Sequence, residues 1–416
     1  MRSDMGHVSS LEMHDPAGLG FDPDRLQRVA DFAGAFVDDG RMVGTDVLVA
    51  RHGQVVLRST AGLADREHAV PVADDSLWRI FSMTKPVTSV AIMQLIEEGR
   101  VRLRDPLSLF LPAFTEMTVF AGGTVEAPET VPAERSITIA DLLTHTSGLS
   151  YSILNQHPVD ELYRRAGIDA LERGGSLADR IDLLATLPLR HQPGIRWSYS
   201  MATDVLGMVV EAVDGRPFDE ALQARVLEPL GMVDTIFRVP DDRLGRMTSC
   251  YAFAPGSEPA LLDPGPTTGF AKVSWPSGGG GLVSTMADYH RFCAGLVGGG
   301  ALDGRRILGS RTVRQMFVNH LPGGAHLDEV GDPLYTPGFF AGCGFGLGLA
   351  TVEDPARGRF SATRGEGSWG GMASTAFWVD PTEGIHCVFL TQLLPSSTHV
   401  SLRWDLRTLV NQALVD

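Results

Sequence analysis

Phe81-Ser82-Met83-Thr84-Lys85-Pro86 is the stretch on which the reading of this 416-residue chain turns. Of its 35 Lys+Arg residues only two are lysines, Lys85 and Lys272. Arginine keeps its proton inside a protein, whereas a desolvated lysine gives it up, so of the two only lysine serves as a general base. With 27 serines and two lysines, about 0.1 Ser-x-x-Lys matches are expected by chance, which makes this short motif informative. The ordinary alternative is a surface lysine near a helix start. Helical patterning runs from about Met83 to Glu98 and stops at Gly99. Residues three apart lie about 60° from each other around a helix, so Ser82 and Lys85 share a face. A lysine near its ordinary pKa of about 10.4 is a poor base at neutral pH. Desolvation and the positive end of the helix dipole both favour the uncharged amine. Pro86 is tolerable because it falls in the first turn. Ser82 therefore reads as a nucleophile activated by its own helix neighbour.

Outward from this motif, composition narrows the class. A content of 44% hydrophobic and 20% charged residues is that of an ordinary folded chain, and the length allows two or three domains. A net charge of −15 weighs against nucleic acid and acidic membrane surfaces as partners. No stretch approaches the roughly 20 apolar residues that span a bilayer, and Met1 to His7 lacks the apolar region of a secretion signal. A cytoplasmic protein is expected. Cys250, Cys293, Cys343 and Cys387 form no Cys-x-x-Cys pair, so buried free thiols are expected rather than zinc or redox chemistry.

Helical spacing of Leu26, Val29, Phe32, Ala33 and Phe36 predicts an N-terminal amphipathic helix over Pro23–Asp39. Apolar runs around His52-Gly53 predict a β-hairpin, and Gly122–Arg135 reads as a long surface loop. Short helices are expected over 138–145, 177–187, 201–214, 217–230, 286–297 and 310–319. Ala254–Pro266 is loop-like. Strand signals follow at Gly344–Ala350, Arg359–Arg364, Met372–Val379 and Ile385–Thr391, with a last helix from about Thr398 to Leu414. Strands at both ends with helices between predict a discontinuous α/β domain, 1–82 and 236–416, carrying a mainly helical insertion, 83–235.

Two further elements carry chemistry. Pro193-Gly194 marks a turn before Trp197-Ser198-Tyr199-Ser200-Met201, and Ser200 is placed to cap a helix from Met201 to Val213. Tyr199 then sits at a helix N-terminus, where the dipole favours a negative oxygen. Gly367-Ser368-Trp369-Gly370-Gly371-Met372 leads into an apolar strand. Paired glycines at a strand edge allow close backbone approach by a substrate, and N–H groups there, with that of Ser82, make an oxyanion site. Competing motifs are missing from the sequence: there is no Gly-x-Ser-x-Gly and no His-x-x-x-His. His145 reads as a structural helix-end residue, Asp204 as a dipole-compensating charge, and Lys272 as solvent-exposed.

Ser82-Met83-Thr84-Lys85, Tyr199-Ser200 and Trp369-Gly370-Gly371 together resemble, in order and spacing, the Ser-x-x-Lys, Tyr-x-Asn and Lys-Thr-Gly boxes of the serine β-lactamase-like and penicillin-binding-protein-like hydrolases. The Trp-Gly-Gly form, His145-Thr146-Ser147-Gly148-Leu149 and Gly278 to Gly281 followed by Leu282-Val283-Ser284 are similar to the family VIII carboxylesterases. The resemblance implies an α/β fold of the α+β type, with an antiparallel sheet flanked by helices, a helical domain, and the active site at their interface. It implies Ser82 as nucleophile, Lys85 and Tyr199 as general base and acid, and the N–H groups of Ser82 and Met372 as oxyanion donors. Trp369, Gly370 and Gly371 would line the substrate, and no cofactor or metal is implied. Met201 and Trp369 depart from the β-lactamase pattern: neither offers the amide or the cation that binds penicillin-like substrates. The expected partner is a small-molecule ester with a short acyl group, and the oligomeric state stays open. A β-lactamase, D-aminopeptidase or DD-peptidase-type amide hydrolase, an acyltransferase, and a sensor that keeps the fold without turnover are the other readings.

Overall fold

A computed structural model describes residues 11–170, 174–332 and 338–415; the polar stretch Met1 to His7 lies outside them. The chain folds around a sheet of eight strands: β1 (Gly44–Arg51), β2 (Gln54–Asp65), β3 (Val70–Pro71), β4 (Cys343–Phe345), β5 (Ala350–Val352), β6 (Gly367–Gly370), β7 (Ala376–Asp380) and β8 (Ile385–Thr391). Their order is β4-β5-β6-β7-β8-β1-β2-β3 and every neighbouring pair is antiparallel. The two ends of the chain thus meet at the β8–β1 pairing, where Val47 stands opposite Phe389 and Leu48 opposite Val388.

Alternation decides which residues go to which face. Val47, Val49, Cys387 and Phe389 pack on one side, against Leu26, Val29, Ala33 and Phe36 of α1 (Pro23–Asp38) and against Leu402, Leu406 and Val410 of the last helix (Leu402–Asn411). Leu48, Ala50, Val388 and Leu390 point the other way, into the larger core. A strand with both faces buried loses the polar half of its pattern, which is why β8 is apolar from Cys387 to Leu390 without alternation. α1 is closed at its start by Asp22, whose carboxylate accepts from Arg25 N at 3.0 Å.

The larger core encloses α2 (Thr84–Glu97), buried from Thr84 to Leu95 on every side. A helix with no side left to solvent belongs in an interior, and the polar side chains it carries bond there: Thr88 Oγ1 donates to Gly278 O at 2.9 Å. In the same core lie α3 (Ile139–Leu143), α4 (Pro158–Ala166), α5 (Leu177–Ala185), α6 (Ala202–Asp214), which packs on α2, and α7 (Met286–Val297), which packs on the sheet. Tyr289 of α7 ties the start of α2 to the sheet: its hydroxyl donates to Met83 O at 2.9 Å, and its ring packs on Phe377 at 5.2 Å.

The structure departs from the sequence reading where strands are exposed or short. Gly122–Arg135 is largely a hairpin, Thr118–Gly123 with Pro128–Pro132. Its second strand is exposed throughout, so no buried face imposed an apolar alternation. Ala254–Pro266 likewise contains a strand, Ala260–Asp263. Gly344–Ala350 is split between β4 and β5, and Arg359–Arg364 is not a strand; Arg359 follows a helical turn, Pro355–Gly358, in a left-handed conformation. Beyond Phe218–Leu222 the helix widens into a π turn, Gln223–Leu227.

Phe389 is fully buried beneath α1 and the C-terminal helix. Phe389→Ala is expected to lower unfolding free energy by about 3–5 kcal/mol, measured by urea denaturation. A change under about 1 kcal/mol would show that the layer does not hold the chain ends together.

Candidate active site

Ser82 lies in a 3-10 turn, Phe81–Met83, that runs directly into α2. Phe81, the residue before it, has φ +43°, a conformation costly for an aromatic side chain. Lys85 follows in the first helical turn and is 1% exposed. Its Nζ lies 3.2 Å from Ser82 Oγ, 3.1 Å from Tyr151 Oη and 2.6 Å from Gly279 O. Tyr199 approaches from the other side, its hydroxyl donating to Ser82 Oγ at 2.6 Å. Lys85 Nζ also stands 4.6 Å from the Tyr199 ring centre and 5.1 Å from that of Tyr151. Ser82, Lys85 and Tyr199, remote from one another in sequence, converge on one point.

Burial dominates the electrostatics. It brings the Lys85 amine down from 10.5 to about 7, with the Asp204 carboxylate pulling the other way. The amine is thus substantially uncharged at neutral pH, the state a base requires.

Tyr199 is held in an aromatic cluster rather than by a cap. Met201, not Ser200, stands at the start of α6, and Ser200 Oγ instead meets His145 Nδ1 at 3.1 Å. The buried His145 ring packs on Tyr199 at 5.1 Å, and burial above all holds it well below the usual histidine range. Trp369 packs on Tyr199 at 5.4 Å, with its Nε1–H directed to the phenol oxygen at 3.4 Å, and Phe340 stacks on its far side at 5.9 Å.

The glycines beside Trp369 need a different account from the one the sequence offered. Beyond Ser368, β6 is paired on one side only, because β5 meets just Gly367 and Ser368. The space at Gly371, however, is taken by the protein: an added Cβ would stand 2.6 Å from Ile80 O. That close approach seats the strand end, and the 38%-exposed Met372, beside the turn carrying Ser82. Gly370 is crowded by Arg403 and Thr375 O.

Three participants escaped sequence reading. Tyr151 directly follows His145-Thr146-Ser147-Gly148-Leu149-Ser150, yet nothing there signals a contact with Lys85. Gly279 supplies a carbonyl to Lys85, and an added Cβ would lie 2.5 Å from Asp204 Oδ2 and 2.6 Å from Tyr151 Oη. The glycine run announced a close approach without naming its partners. Asp204 is in the first turn of α6, but it is 1% exposed and faces the site. Its Oδ1 accepts from Ser277 Oγ at 2.5 Å and from Gly279 N at 2.9 Å. Lys272 is exposed.

A family model described as Beta-lactamase matches residues 29–412. The chain belongs to the beta-lactamase family. Esterase EstB of Burkholderia gladioli is 32% identical over 88% of this chain and 89% of its own length. Lovastatin esterase of Penicillium rubens is 30% identical over 83% and 88%. Among solved structures, EstCE1, described as a hydrolase with promiscuous acyltransferase activity, superposes with a TM-score of 0.79 at 29% identity, covering 93% of this chain and 99% of that one. At this coarser level the chain is an esterase-type serine hydrolase of the beta-lactamase family. Among its described residues no helix is long and apolar enough to cross a membrane.

Gly279→Ala should force Asp204, Tyr151 and the Gly279 carbonyl apart. It is expected to slow turnover of a chromogenic ester by about 10²-fold, as a displacement near 1 Å does, with the circular dichroism spectrum unchanged. Full activity would show that this packing is dispensable.

Proposed function

We propose that this protein hydrolyses small, uncharged carboxylic esters with short acyl groups through an acyl-enzyme on Ser82. The observation that carries the proposal is the position of Ser82 Oγ, 2.6 Å from the Tyr199 phenol and 3.2 Å from an amine whose pKa is about 7. Ser82 Oγ bonds the acyl carbon as its proton passes to Lys85. The N–H groups of Ser82 and Met372 receive the developing oxyanion. The ester C–O bond then breaks, and the alcohol leaves with a proton from the Tyr199 and Lys85 pair. Water repeats the sequence on the acyl-enzyme and frees the acid and Ser82.

Ester rather than β-lactam or peptide chemistry is supported by what surrounds the serine. Where a cation would pair with a substrate carboxylate stands Trp369, packed among Tyr199, Phe340 and Phe345. Where an amide would meet a substrate amide stands Met201, buried, its backbone N–H donating to Ser150 O at 3.1 Å. An apolar ester needs neither contact. The two esterase relatives and EstCE1 support the same reading. A cytoplasmic location belongs to the proposal; the four buried, unpaired cysteines fit a reducing compartment.

Ser82→Ala is expected to reduce hydrolysis of p-nitrophenyl acetate and butyrate by at least about 10⁴-fold. Lys85→Arg keeps the charge but cannot accept a proton, and should lose about 10²–10⁴-fold. Wild-type activity in either variant would rule the mechanism out. With the wild type, kcat/KM for these esters should exceed that for nitrocefin and for D-alanine p-nitroanilide. The reverse order would replace the ester reading with an amide-hydrolase one.

A further inference from the structure

We propose that Asp204 is a positioning residue that sets the direction of the hydrogen-bond chain through the site, so that uncharged Lys85 presents its lone pair to Ser82. The inference rests on Ser82 being the nucleophile of the proposed function and deepens that reading.

Donors and acceptors at Lys85 must balance. An uncharged amine has two N–H groups and one lone pair, and Lys85 Nζ has three polar neighbours, Gly279 O, Tyr151 Oη and Ser82 Oγ. The carbonyl can only accept, so it takes one N–H. The other N–H and the lone pair must be divided between two hydroxyls, each able to donate or accept. In one arrangement the lone pair faces Ser82 and Lys85 is a base. In the other the lone pair is spent on Tyr151.

The choice is made beyond Tyr151, whose Oη lies 3.5 Å from Asp204 Oδ2. This is longer than an ordinary O–H···O bond of about 2.7–2.8 Å, but it suffices to orient a hydroxyl dipole toward a carboxylate. An ionised carboxylate accepts only. Burial pushes the Asp204 carboxyl up; against it Ser277 Oγ–H and Gly279 N–H, both donated to Oδ1, favour the accepting carboxylate on which the proposal rests. With the Tyr151 proton aimed at Asp204, the Tyr151 oxygen accepts the second N–H of Lys85. Ser82 is then the donor to Nζ.

The opposite end is fixed in the same sense. The Trp369 indole N–H, a donor only, faces Tyr199 Oη, and the Tyr199 hydroxyl donates to Ser82 Oγ. The chain runs Trp369, Tyr199, Ser82, Lys85, Tyr151, Asp204, from a group that can only donate to one that can only accept. The other titratable groups facing this chain are neutral His145, after α3, and Asp169, which acts on Tyr151 and Asp204 from further out.

Asp204→Asn tests the assignment, because its amide can donate to Tyr151 and turn the Tyr151 proton onto the Lys85 lone pair. The readout is the rate at which Ser82 displaces p-nitrophenolate from a p-nitrophenyl alkylphosphonate, forming the Ser82 Oγ–P bond and giving its proton to Lys85. In the wild type this rate should rise with pH through about 7 as Lys85 becomes uncharged. Asp204→Asn should lower the plateau by about 10²-fold. It should also move the limb to lower pH, since the charge that favoured the ammonium is gone. A merely loosened loop would admit water and move the limb upward, which would overturn the proposal. Tyr151→Phe removes the hydroxyl that competes for the Lys85 lone pair, and so supplies the background in which the Asp204 effect is measured again. In that background Asp204→Asn should cost little more. An equal loss in both backgrounds, or wild-type rates for Asp204→Asn, would overturn the assignment. Should Asp204→Asn not fold, a Tyr151→Phe loss as large as that of Lys85→Arg does so instead. Phosphonate reactivity without ester turnover in the wild type would contradict the esterase reading and leave this one standing.

Discussion

An amine held out of water is the constraint on which the rest of this molecule depends. Moving Lys85 from 10.5 to about 7 corresponds to about 5 kcal/mol against its charged form. The dipole of α2 contributes on the scale of about 0.3–1 kcal/mol, so burial and not helix direction sets the state of the base. Burial on that scale needs a helix enclosed on all sides, and α2 is the one the chain wraps. The sheet lies below it through Tyr289 and Phe377, and α6 packs against it. The same enclosure obliges the structure to satisfy the amine internally, which Gly279 O, Tyr151 and Ser82 do.

Each element meeting at Ser82 is placed by packing that has its own cause. The left-handed Phe81 and the close seating of Gly371 on Ile80 O join the nucleophile turn to the end of β6. Tyr199 is wedged between His145 and Trp369, so the loop after α3, the start of α6 and β6 all bear on one phenol. Trp369 and Met201 are therefore structural as well: both are packed against the groups that hold Ser82, Lys85 and Tyr199 together.

Much of the site was legible because its principal residues are chemically rare or locally signalled. One of two lysines three residues after a serine, and a tyrosine between a Pro-Gly turn and a helix, stand out without any knowledge of contacts. The buried strand β8 and helices α1 and α7 were legible for a related reason, since periodicity records a buried face. Exposed strands such as Pro128–Pro132 leave no such record. Tyr151, Gly279 and Asp204 were missed because their meaning lies in contacts spanning 53 to 194 residues of sequence. Asp204 in particular satisfied a local rule, an acid in a first helical turn, that concealed its burial beside Lys85.

The scarcity of lysine also makes the central claim directly measurable. Protein labelled with ¹³C at lysine Cε should show two side-chain resonances, from Lys85 and Lys272, and Lys272→Arg assigns them. The account predicts that the Lys85 signal titrates with a midpoint near 7, between its charged and uncharged positions. A Lys85 signal that stays at the charged position up to pH 9 would contradict it, because no uncharged amine would then face Ser82.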